Sequence, residues 1–343
     1  MRFFRFFQQE LAVDLGTANT LIIQDGQVVV DEPSIVAINR QTNETIAVGM
    51  KAMMMHEKTH ENIKTIRPLK DGVIADFQAA EALIQGLINM ISEKKGFFTH
   101  LKMVICIPSG ITEVEKRAVF DSADHIDSKE TYLIHEPMAA ALGIGIDVEA
   151  PDGTMIIDIG GGTTEIAVIA LSGIVTDQSL RVAGDEFTAD IVDFMRRKHN
   201  ILIGERTAER IKIEVGSAID DLADPPPPMF VNGRDLLTGI PKQVTSTHLE
   251  VSESLDKSIA KIEEAVLKAL EDTPPELASD IYKNGIWLTG GGALLRGLDL
   301  RLSRKTKLNV HVAEDPLKAV VRGTSLALLN TDKYSFLIER KVL

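Results

Sequence analysis

The chain has 343 residues, of which 44% are hydrophobic and 25% are charged, and its formal net charge is −13. These proportions are typical of a globular protein long enough for two domains, and they exclude a disordered chain. The acidic balance argues against a nucleic-acid-binding protein, which would need a basic stripe, so we expect no nucleic-acid partner.

The first half is predicted to open with short strands over residues 10–38, followed by a polar insertion at 39–70 with few strand-like runs. Apolar residues at helical spacing from Phe77 to Ile91 predict a helix that Asp76 caps and Gly96 ends. Four further elements follow, namely a strand at Met103–Ile107, a helix to about Asp124 with a capping box at Thr112 and Glu115, a brief strand at Tyr132–Ile134, and a helix at Met138–Leu142.

The second half is predicted to start near Pro151, with helices at about 186–198 and 207–219. The four prolines at 225–228 form a stiff connector that cannot be helical. A long amphipathic helix follows from Leu255 to Leu270, and the strand at Trp287 runs into a glycine-rich helix start at 290–297. Alternating strands and helices in both halves predict an α/β protein.

The cellular compartment is indicated by three features that the sequence lacks, namely a pair of cysteines, a membrane-spanning run and a secretory signal. The single cysteine, Cys106, lies in an apolar run, where a buried thiol is usually inert, and one thiol cannot form an internal disulfide. No apolar run approaches the roughly 20 residues of a membrane-spanning helix, and we expect no secretory signal. A reducing, cytoplasmic compartment fits these features.

Two segments about 144 positions apart repeat one design. Residues 12–20 (AVDLGTANT) and 155–165 (MIIDIGGGTTE) each contain an apolar strand, an aspartate and a turn of small residues, and a second strand follows. Repetition at this distance predicts two similar halves that face each other. Small residues let backbone N–H groups approach an anion, and Asp14 and Asp158 are placed to hold the water shell of Mg²⁺. A turn carboxylate that bonds local N–H groups is the alternative, but the matched repetition favours a nucleotide clamped between the halves.

Segments 14–20, 158–165 and 290–297 resemble the two phosphate loops and the adenosine motif of the actin-like ATPase superfamily, which includes actins, sugar kinases and DnaK-type chaperones. Within it, the chain resembles the MreB family, the bacterial actin homologues of cell-shape control. Six segments spread over nearly the whole chain carry this resemblance: 14–20, 134–141, 158–165, 209–214, 275–280 and 288–297.

The resemblance implies an α/β actin-like ATPase fold with two duplicated mixed-sheet domains, each carrying a small subdomain, and with the nucleotide in the interdomain cleft. The implied boundaries are 1–37, 71–150 and 320–343 for the first large subdomain (IA), 38–70 for the first small one (IB), 151–186 and 251–319 for the second large one (IIA), and 187–250 for the second small one (IIB).

The resemblance also implies residue roles, with ATP or ADP and Mg²⁺ as cofactors. Asp14 and Asp158 would hold hydrated Mg²⁺, and Glu136 and Thr163 would orient the attacking water of a slow ATPase. The residues implied for the phosphates are Gly16, Thr17, Ala18, Asn19, Gly160, Gly161, Gly162 and Thr163. Those implied for ribose and adenine are Glu209, Lys212, Gly290, Gly291, Gly292 and Ala293.

Two aromatic patches predict membrane contact. On a helix, Phe3, Phe4, Phe6 and Phe7 fall within about 160°, while Arg2, Arg5, Gln8 and Gln9 share the opposite side. This pattern predicts a short interfacial helix on an anionic membrane. Phe97 and Phe98, beside two lysines, resemble the membrane-insertion loop of the family. The alternative is that Phe97 and Phe98 pack into the core beneath that loop.

The expected function is an ATP-dependent, actin-like filament protein, peripheral on the inner face of the cell membrane, that organises cell-wall elongation and maintains rod shape. Its expected partners are further copies of itself, the anionic membrane surface, and wall-elongation proteins such as MreC, MreD and RodZ. The alternatives are a sugar or small-metabolite kinase of the same superfamily and a DnaK-type chaperone. The first would need a general-base aspartate in a polar substrate pocket, and the second would need a peptide-binding domain after the last family segment.

Overall fold

The computed structural model describes residues 8–58, 61–91, 100–126 and 128–340. The strands in chain order are β1 (Gln8–Leu15), β2 (Asn19–Gln24), β3 (Gln27–Pro33), β4 (Val36–Asn39), β5 (Thr45–Val48), β6 (Ile63–Ile66), β7 (Leu69–Lys70), β8 (Val73–Ile74), β9 (His100–Ile107), β10 (Ser128–His135), β11 (Thr154–Ile159), β12 (Thr164–Ala170), β13 (Gly173–Leu180), β14 (Ile201–Leu202), β15 (Met229–Asp235), β16 (Pro241–Ser246), β17 (Ile286–Thr289), β18 (Val310–Val312) and β19 (Ile338–Arg340).

The helices are α1 (Met50–Met55), α2 (Phe77–Ile91), α3 (Glu113–His125), α4 (Glu136–Gly143), α5 (Gly184–His199), α6 (Glu205–Val215), α7 (His248–Asp272), α8 (Pro275–Asn284), α9 (Leu298–Thr306) and α10 (Ala319–Leu329). Short 3₁₀ segments lie at Gly291–Leu294 and Pro316–Lys318. In the described part of the chain, no helix is both long and apolar enough to cross a membrane.

Two large sheets repeat one plan. The first has the strand order β19–β10–β9–β1–β2–β3, and the second has the order β13–β12–β11–β17–β18. In each sheet an antiparallel meander, β1–β2–β3 or β11–β12–β13, continues into strands parallel to its first strand, β9 or β17. Asp14 and Asp158 each occupy the next-to-last position of the strand that starts a meander. The sequence repeat therefore corresponds to a structural repeat.

The two sheets are joined by a shared core around α4 and α10. One buried cluster contains Ala12 and Val104 of the first sheet together with Ile156 and Ala167 of the second. At the crossing of α4 and α10 the backbones themselves touch, because a Cβ atom on Gly323 would overlap the carbonyl oxygen of Ala139. The reciprocal contact is made by Gly143, whose Cβ would overlap the carbonyl oxygen of Ala319.

Several elements differ from the sequence predictions. The segment 39–70, where the sequence has few strong strand runs, contains α1 and the short strands β5 and β6, both paired with β4, and it ends in the two-residue strand β7. Strands β5 and β6 have four residues each and are only partly buried, so their sequences show little alternation of apolar and polar residues. The brief strand at 132–134 is the eight-residue β10, and α6 ends at Val215 rather than 219. The glycine-rich run 290–297 contains a 3₁₀ turn, and α9 begins only at Leu298.

Gln8 and Gln9 were placed on an N-terminal helix, but they open β1 and pair with residues 100 and 101 of β9. Residues 1–7, including Phe3, Phe4, Phe6 and Phe7, lie outside the described residues, as do Phe97, Phe98 and the predicted helix stop at Gly96. The caps were predicted correctly. Thr112 and Glu115 form a capping box, and Asp76 accepts a hydrogen bond from the Ala79 N–H at 3.0 Å.

Candidate functional site

A cavity of about 1020 Å³ lies between the turns of the two hairpins. Its walls contain all but one of the residues that the sequence assigned to a nucleotide, namely Asp14, Gly16, Thr17, Ala18, Asn19, Glu136, Asp158, Gly160, Gly161, Gly162, Thr163, Glu209, Lys212, Gly290, Gly291 and Gly292. The exception is Ala293, which packs into the core of the second half. The neighbouring Leu294 and Leu295 line the cavity instead.

The hairpin turns approach each other closely enough to require glycine. A Cβ atom on Gly161 would lie 2.6 Å from the Cβ of Ala18, and one on Gly162 would lie 2.6 Å from the Thr17 hydroxyl oxygen. The same hydroxyl accepts a hydrogen bond from the Gly72 N–H at 2.9 Å. Because Gly161 and Gly162 carry no side chain, the two turns can approach closely enough for backbone N–H groups of both to bind one anion.

The two aspartates of the hairpins line the cavity from opposite halves. Burial raises the pKa of Asp14 to about 6, opposed by a hydrogen bond that the Cys106 thiol donates to Oδ1 at 3.1 Å. Burial raises the pKa of Asp158 to about 7, opposed by a hydrogen bond from the Thr289 hydroxyl to Oδ1 at 2.7 Å. Such carboxylates gain from a cation that offsets the cost of burying negative charge.

The side chains of the cavity suit a divalent cation that keeps its water shell better than a metal ion held entirely by protein ligands. Among the described residues, no three His, Cys, Asp or Glu side chains converge closely enough to hold a metal ion. Mg²⁺ usually keeps several waters and takes one or two carboxylates plus phosphate oxygens. Asp14 and Asp158 match this requirement, so the residues present fit Mg²⁺ bound with a nucleotide.

Glu136 begins α4 and lies among the other carboxylates of the cavity. Burial, followed by the negative charges of Glu165, Asp14 and Asp158, raises its pKa well above the ordinary value for glutamate. Pro137 fills the first turn of the helix, where a missing N–H is tolerated. A carboxylate in this setting holds a proton strongly, which suits a group that must accept one from water.

Glu165 is a buried residue of this cluster that sequence reasoning did not select as a site residue. Its carboxylate accepts hydrogen bonds from the Ser109 N–H at 3.2 Å, from the Ser109 hydroxyl, and from the Ser179 hydroxyl at 2.7 Å. Burial raises its pKa, and these three donors oppose the rise. Its position in the second hairpin was visible in the sequence, but its donors come from distant segments.

A polar network on α5 and α6 forms another wall. Lys212 pairs with Glu209 at 2.7 Å and donates to the Gly184 carbonyl oxygen at 2.8 Å and the Thr188 hydroxyl at 3.1 Å. The Thr188 hydroxyl in turn donates to Glu209 at 2.7 Å. The lysine holds Glu209 in place, and the partly exposed carboxylate can still accept hydrogen bonds from hydroxyl groups such as those of a ribose.

Contacts at the mouth of the cleft join residues that follow α1 and β6 of the first half to the start of α6. Glu57 accepts a hydrogen bond from the Glu205 N–H at 3.0 Å, and the Glu205 carboxylate lies 3.5 Å from both His56 Nε2 and Arg67 Nη2. The N-cap residue of α6, Gly204, has no capping side chain, and a Cβ atom there would overlap the Glu57 carboxylate. Glu57 therefore caps α6 from the other half. We call these five residues the cleft bridge.

Comparison with known proteins agrees with this geometry. The MreB/Mbl protein family model matches residues 8–335. The chain is 45% identical to the cell shape-determining protein Mbl of Bacillus subtilis over 328 residues, which cover 95% of this chain and 98% of Mbl. It is 46% identical to the cell shape-determining protein MreB of Escherichia coli over 340 residues, which cover 97% of each.

Solved structures define the fold. The crystal structure of MreB5 of Spiroplasma citri bound to AMPPNP superposes with a TM-score of 0.89 at 39% identity, over 96% of this chain and 98% of that one. A double helical filament of MamK superposes with a TM-score of 0.76 at 21% identity, over 93% of this chain and 98% of that one, and this likeness concerns the fold alone. The chain has an actin-like fold, as predicted, with the cavity described above between its halves.

The chain belongs to the MreB/Mbl family, whose relatives above are named cell shape-determining proteins. The resemblance inferred from the six sequence segments is confirmed. This membership favours a cytoskeletal role over the sugar-kinase and DnaK-type alternatives.

Proposed function

We propose that this protein is a membrane-associated, ATP-dependent actin-like filament protein that organises cell-wall elongation and maintains rod shape. The observation that carries the proposal is the cavity in which two equivalent hairpins, each with an aspartate whose pKa is raised by burial, meet across the halves. The related MreB5 was crystallised with AMPPNP and with ADP, which supports ATP and ADP as the ligands.

The turns at 16–19 and 160–163 would bind the β- and γ-phosphates through backbone N–H groups, and Thr17 and Thr163 would add hydroxyl donors. Mg²⁺, held through water by Asp14 and Asp158, would neutralise phosphate charge. Glu209 would accept hydrogen bonds from the ribose, while Gly290, Gly291 and Gly292 would flank the adenine. Glu136 would take a proton from the attacking water, and Thr163 would help to orient that water.

The same four subdomains are proposed with the boundaries predicted above. Packing of α10 against β1 and pairing of β19 with β10 support the assignment of 320–343 to subdomain IA. Self-association is supported by the filament formed by MamK, which shares the fold. Peripheral attachment to the inner face of the membrane, and contacts with MreC, MreD and RodZ, belong to the proposal through the family resemblance.

Sedimentation tests both the filament and the membrane parts. With ATP the protein should pellet as polymer, and anionic vesicles should carry the polymer with them through many weak contacts. A protein that stays in the supernatant under all nucleotide conditions would contradict the filament assignment. Polymer that ignores anionic vesicles would contradict the membrane assignment.

Removing residues 2–7 should reduce vesicle binding to the level seen with uncharged vesicles, because four phenylalanines and two arginines are lost together. The deletion must stop before Gln8, since Gln8 and Gln9 belong to β1. Co-sedimentation with vesicles is the measurement, and the rate of ATP hydrolysis is the control. Equal losses of vesicle binding and of ATP hydrolysis would mean that the segment supports the fold and not membrane binding.

Glu57→Ala should accelerate nucleotide release about fivefold, because the capping hydrogen bond to α6 contributes about 1 kcal/mol to the closed cleft. The measurement is the dissociation rate of a fluorescent ATP analogue chased with unlabelled ATP. Glu61→Ala removes a similar exposed carboxylate from the same segment and should leave the rate unchanged. Identical rates for wild type and Glu57→Ala would show that the cleft bridge does not hold the cleft closed.

A further inference from the structure

Each hairpin aspartate receives a hydrogen bond from the strand that lies parallel to its own. The Cys106 thiol on β9 donates to Asp14 Oδ1 at 3.1 Å, and the Thr289 hydroxyl on β17 donates to Asp158 Oδ1 at 2.7 Å. Both donors are buried, with 3% of Cys106 and none of Thr289 exposed.

The two donors occupy equivalent places in the repeated sheets. Asp158 is paired in register with Thr289 across β11 and β17. Across β1 and β9, Val13 is paired with Ile105, so Asp14 and Cys106 are the next residues along each strand. The structural repeat thus extends beyond the hairpins to the groups that support them, although Cys106-Ile-Pro and Thr289-Gly-Gly share no sequence pattern.

The donors lie behind the aspartates relative to the cavity. Asp14 and Asp158 are among the cavity-lining residues, whereas Cys106 and Thr289 are not. Each donor therefore holds Oδ1 of its aspartate from the side of the sheet without reaching a ligand in the cleft. A carboxylate fixed at one oxygen keeps a defined rotamer, which prepares it for a water-mediated contact with a cation.

We propose that Cys106 and Thr289 are equivalent positioning residues, each of which orients one aspartate for the hydrated cation that accompanies the nucleotide. This inference rests on the proposed nucleotide-binding function. A hydroxyl is a stronger hydrogen-bond donor than a thiol. Loss of the Thr289 donor should therefore have the larger effect.

The test is the affinity for a fluorescent ATP analogue, measured with Mg²⁺ and again with EDTA. Thr289→Val should weaken binding about tenfold in Mg²⁺, as expected for loss of a hydrogen bond to a charged group, and should leave binding in EDTA unchanged. Cys106→Ala should show the same selectivity with a smaller loss. Thr289→Ser and Cys106→Ser keep a donor at each site and should restore binding in Mg²⁺.

A second readout concerns the thiol directly and needs no activity. Because Cys106 is the single cysteine of the chain, its S–H stretching band in the infrared spectrum is assignable by its disappearance in Cys106→Ala. The band should shift in Asp14→Asn, which changes its acceptor, and again when Mg²⁺ and nucleotide are added to the wild type. A band that stays in place in both cases would overturn the role of Cys106.

Three outcomes of the binding test separate the possibilities. Equal losses in Mg²⁺ and EDTA, or losses that the serine variants do not restore, would mean a structural role and overturn the inference. Unchanged affinity of Thr289→Val and Cys106→Ala, with normal binding by the wild type, would also overturn it and leave the proposed function intact. Absence of nucleotide binding by the wild type would overturn the proposed function itself.

Discussion

Replacing Glu136 by alanine should lower the rate of ATP hydrolysis by about 10²- to 10⁴-fold, the usual contribution of a general base. The residue lies at the start of α4, in the wall of the same cavity as both hairpin turns. It is not part of the turns that would hold the phosphates, so ATP binding should stay close to that of the wild type. Phosphate release and equilibrium binding of labelled ATP measure the two effects separately.

The hydrolysis rate should also depend on pH in one direction. Burial and neighbouring carboxylates raise the pKa of Glu136, so its proton is lost later than that of an ordinary glutamate as the pH increases. Only the deprotonated form can accept a proton, and therefore the wild-type rate should rise with pH until Glu136 is ionised. In Glu136→Ala the contribution of Glu136 should be lost, and the remaining rate should rise only with the ionisation of Asp14 and Asp158, whose pKa values are about 6 and about 7.

Glu276→Ala is the matched control, because Glu276 also lies in the first turn of a helix beside a proline but is exposed on the surface. It should hydrolyse ATP at the wild-type rate. Normal phosphate release by Glu136→Ala, or an equal loss in Glu276→Ala, would remove Glu136 from the catalytic role.

The second large effect is expected at the crossing of α4 and α10. Gly323→Ala should lower the free energy of unfolding by at least about 3 kcal/mol, the upper part of the range for overpacked cores. The added Cβ would overlap the Ala139 carbonyl oxygen, which belongs to helix backbone and cannot move aside as a flexible side chain could. Denaturant unfolding measures the change, and failure to obtain soluble protein would be its extreme form.

Gly143→Ala should have a similar effect, because its Cβ would meet the Ala319 carbonyl oxygen at the same crossing. Gly173→Ala is the matched control, since a Cβ there would meet only the Ala170 carbonyl oxygen at 3.7 Å. This control should unfold like the wild type. Wild-type stability of Gly323→Ala would show that the two helices do not pack backbone against backbone.

The crossing also connects stability to the cleft. Its core cluster contains residues of both large sheets, so the angle between the halves depends on how closely α4 and α10 approach. Glu136 starts α4, and Val320 of α10 lines the cavity. Any Gly323 or Gly143 variant that folds should therefore also bind nucleotide more weakly.

Local signals in the sequence were sufficient to predict much of the candidate site. Asp14, Asp158 and the glycines after them belong to short strand–turn–strand patterns, whose geometry follows from neighbouring residues. Helix caps at Asp76 and Thr112 were predicted for the same reason, since a cap involves groups only three residues apart. Assigning Glu136, Glu209 and Lys212 required the resemblance to the MreB family, because a lone carboxylate or lysine has no local pattern.

Contacts between distant segments could not be predicted from one sequence. Glu57 and Glu205 are 148 positions apart and meet only because the two halves close over the cleft. Cys106 and Thr289 reach their aspartates through sheet register, and Ser109 reaches Glu165 from a loop between β9 and α3. The partly buried strands β5 and β6 were missed because their short runs resemble a polar loop. The assignments at Phe3, Phe4, Phe6, Phe7, Phe97 and Phe98 stay predictions.

A crystal structure of the protein with Mg²⁺ and AMPPNP tests the central claim most directly. The phosphates should lie between residues 16–19 and 160–163, with the cation's water shell in contact with Asp14 and Asp158 and the ribose beside Glu209. A nucleotide bound elsewhere, or one whose phosphates touch a single hairpin while the other aspartate stays remote, would contradict the proposal.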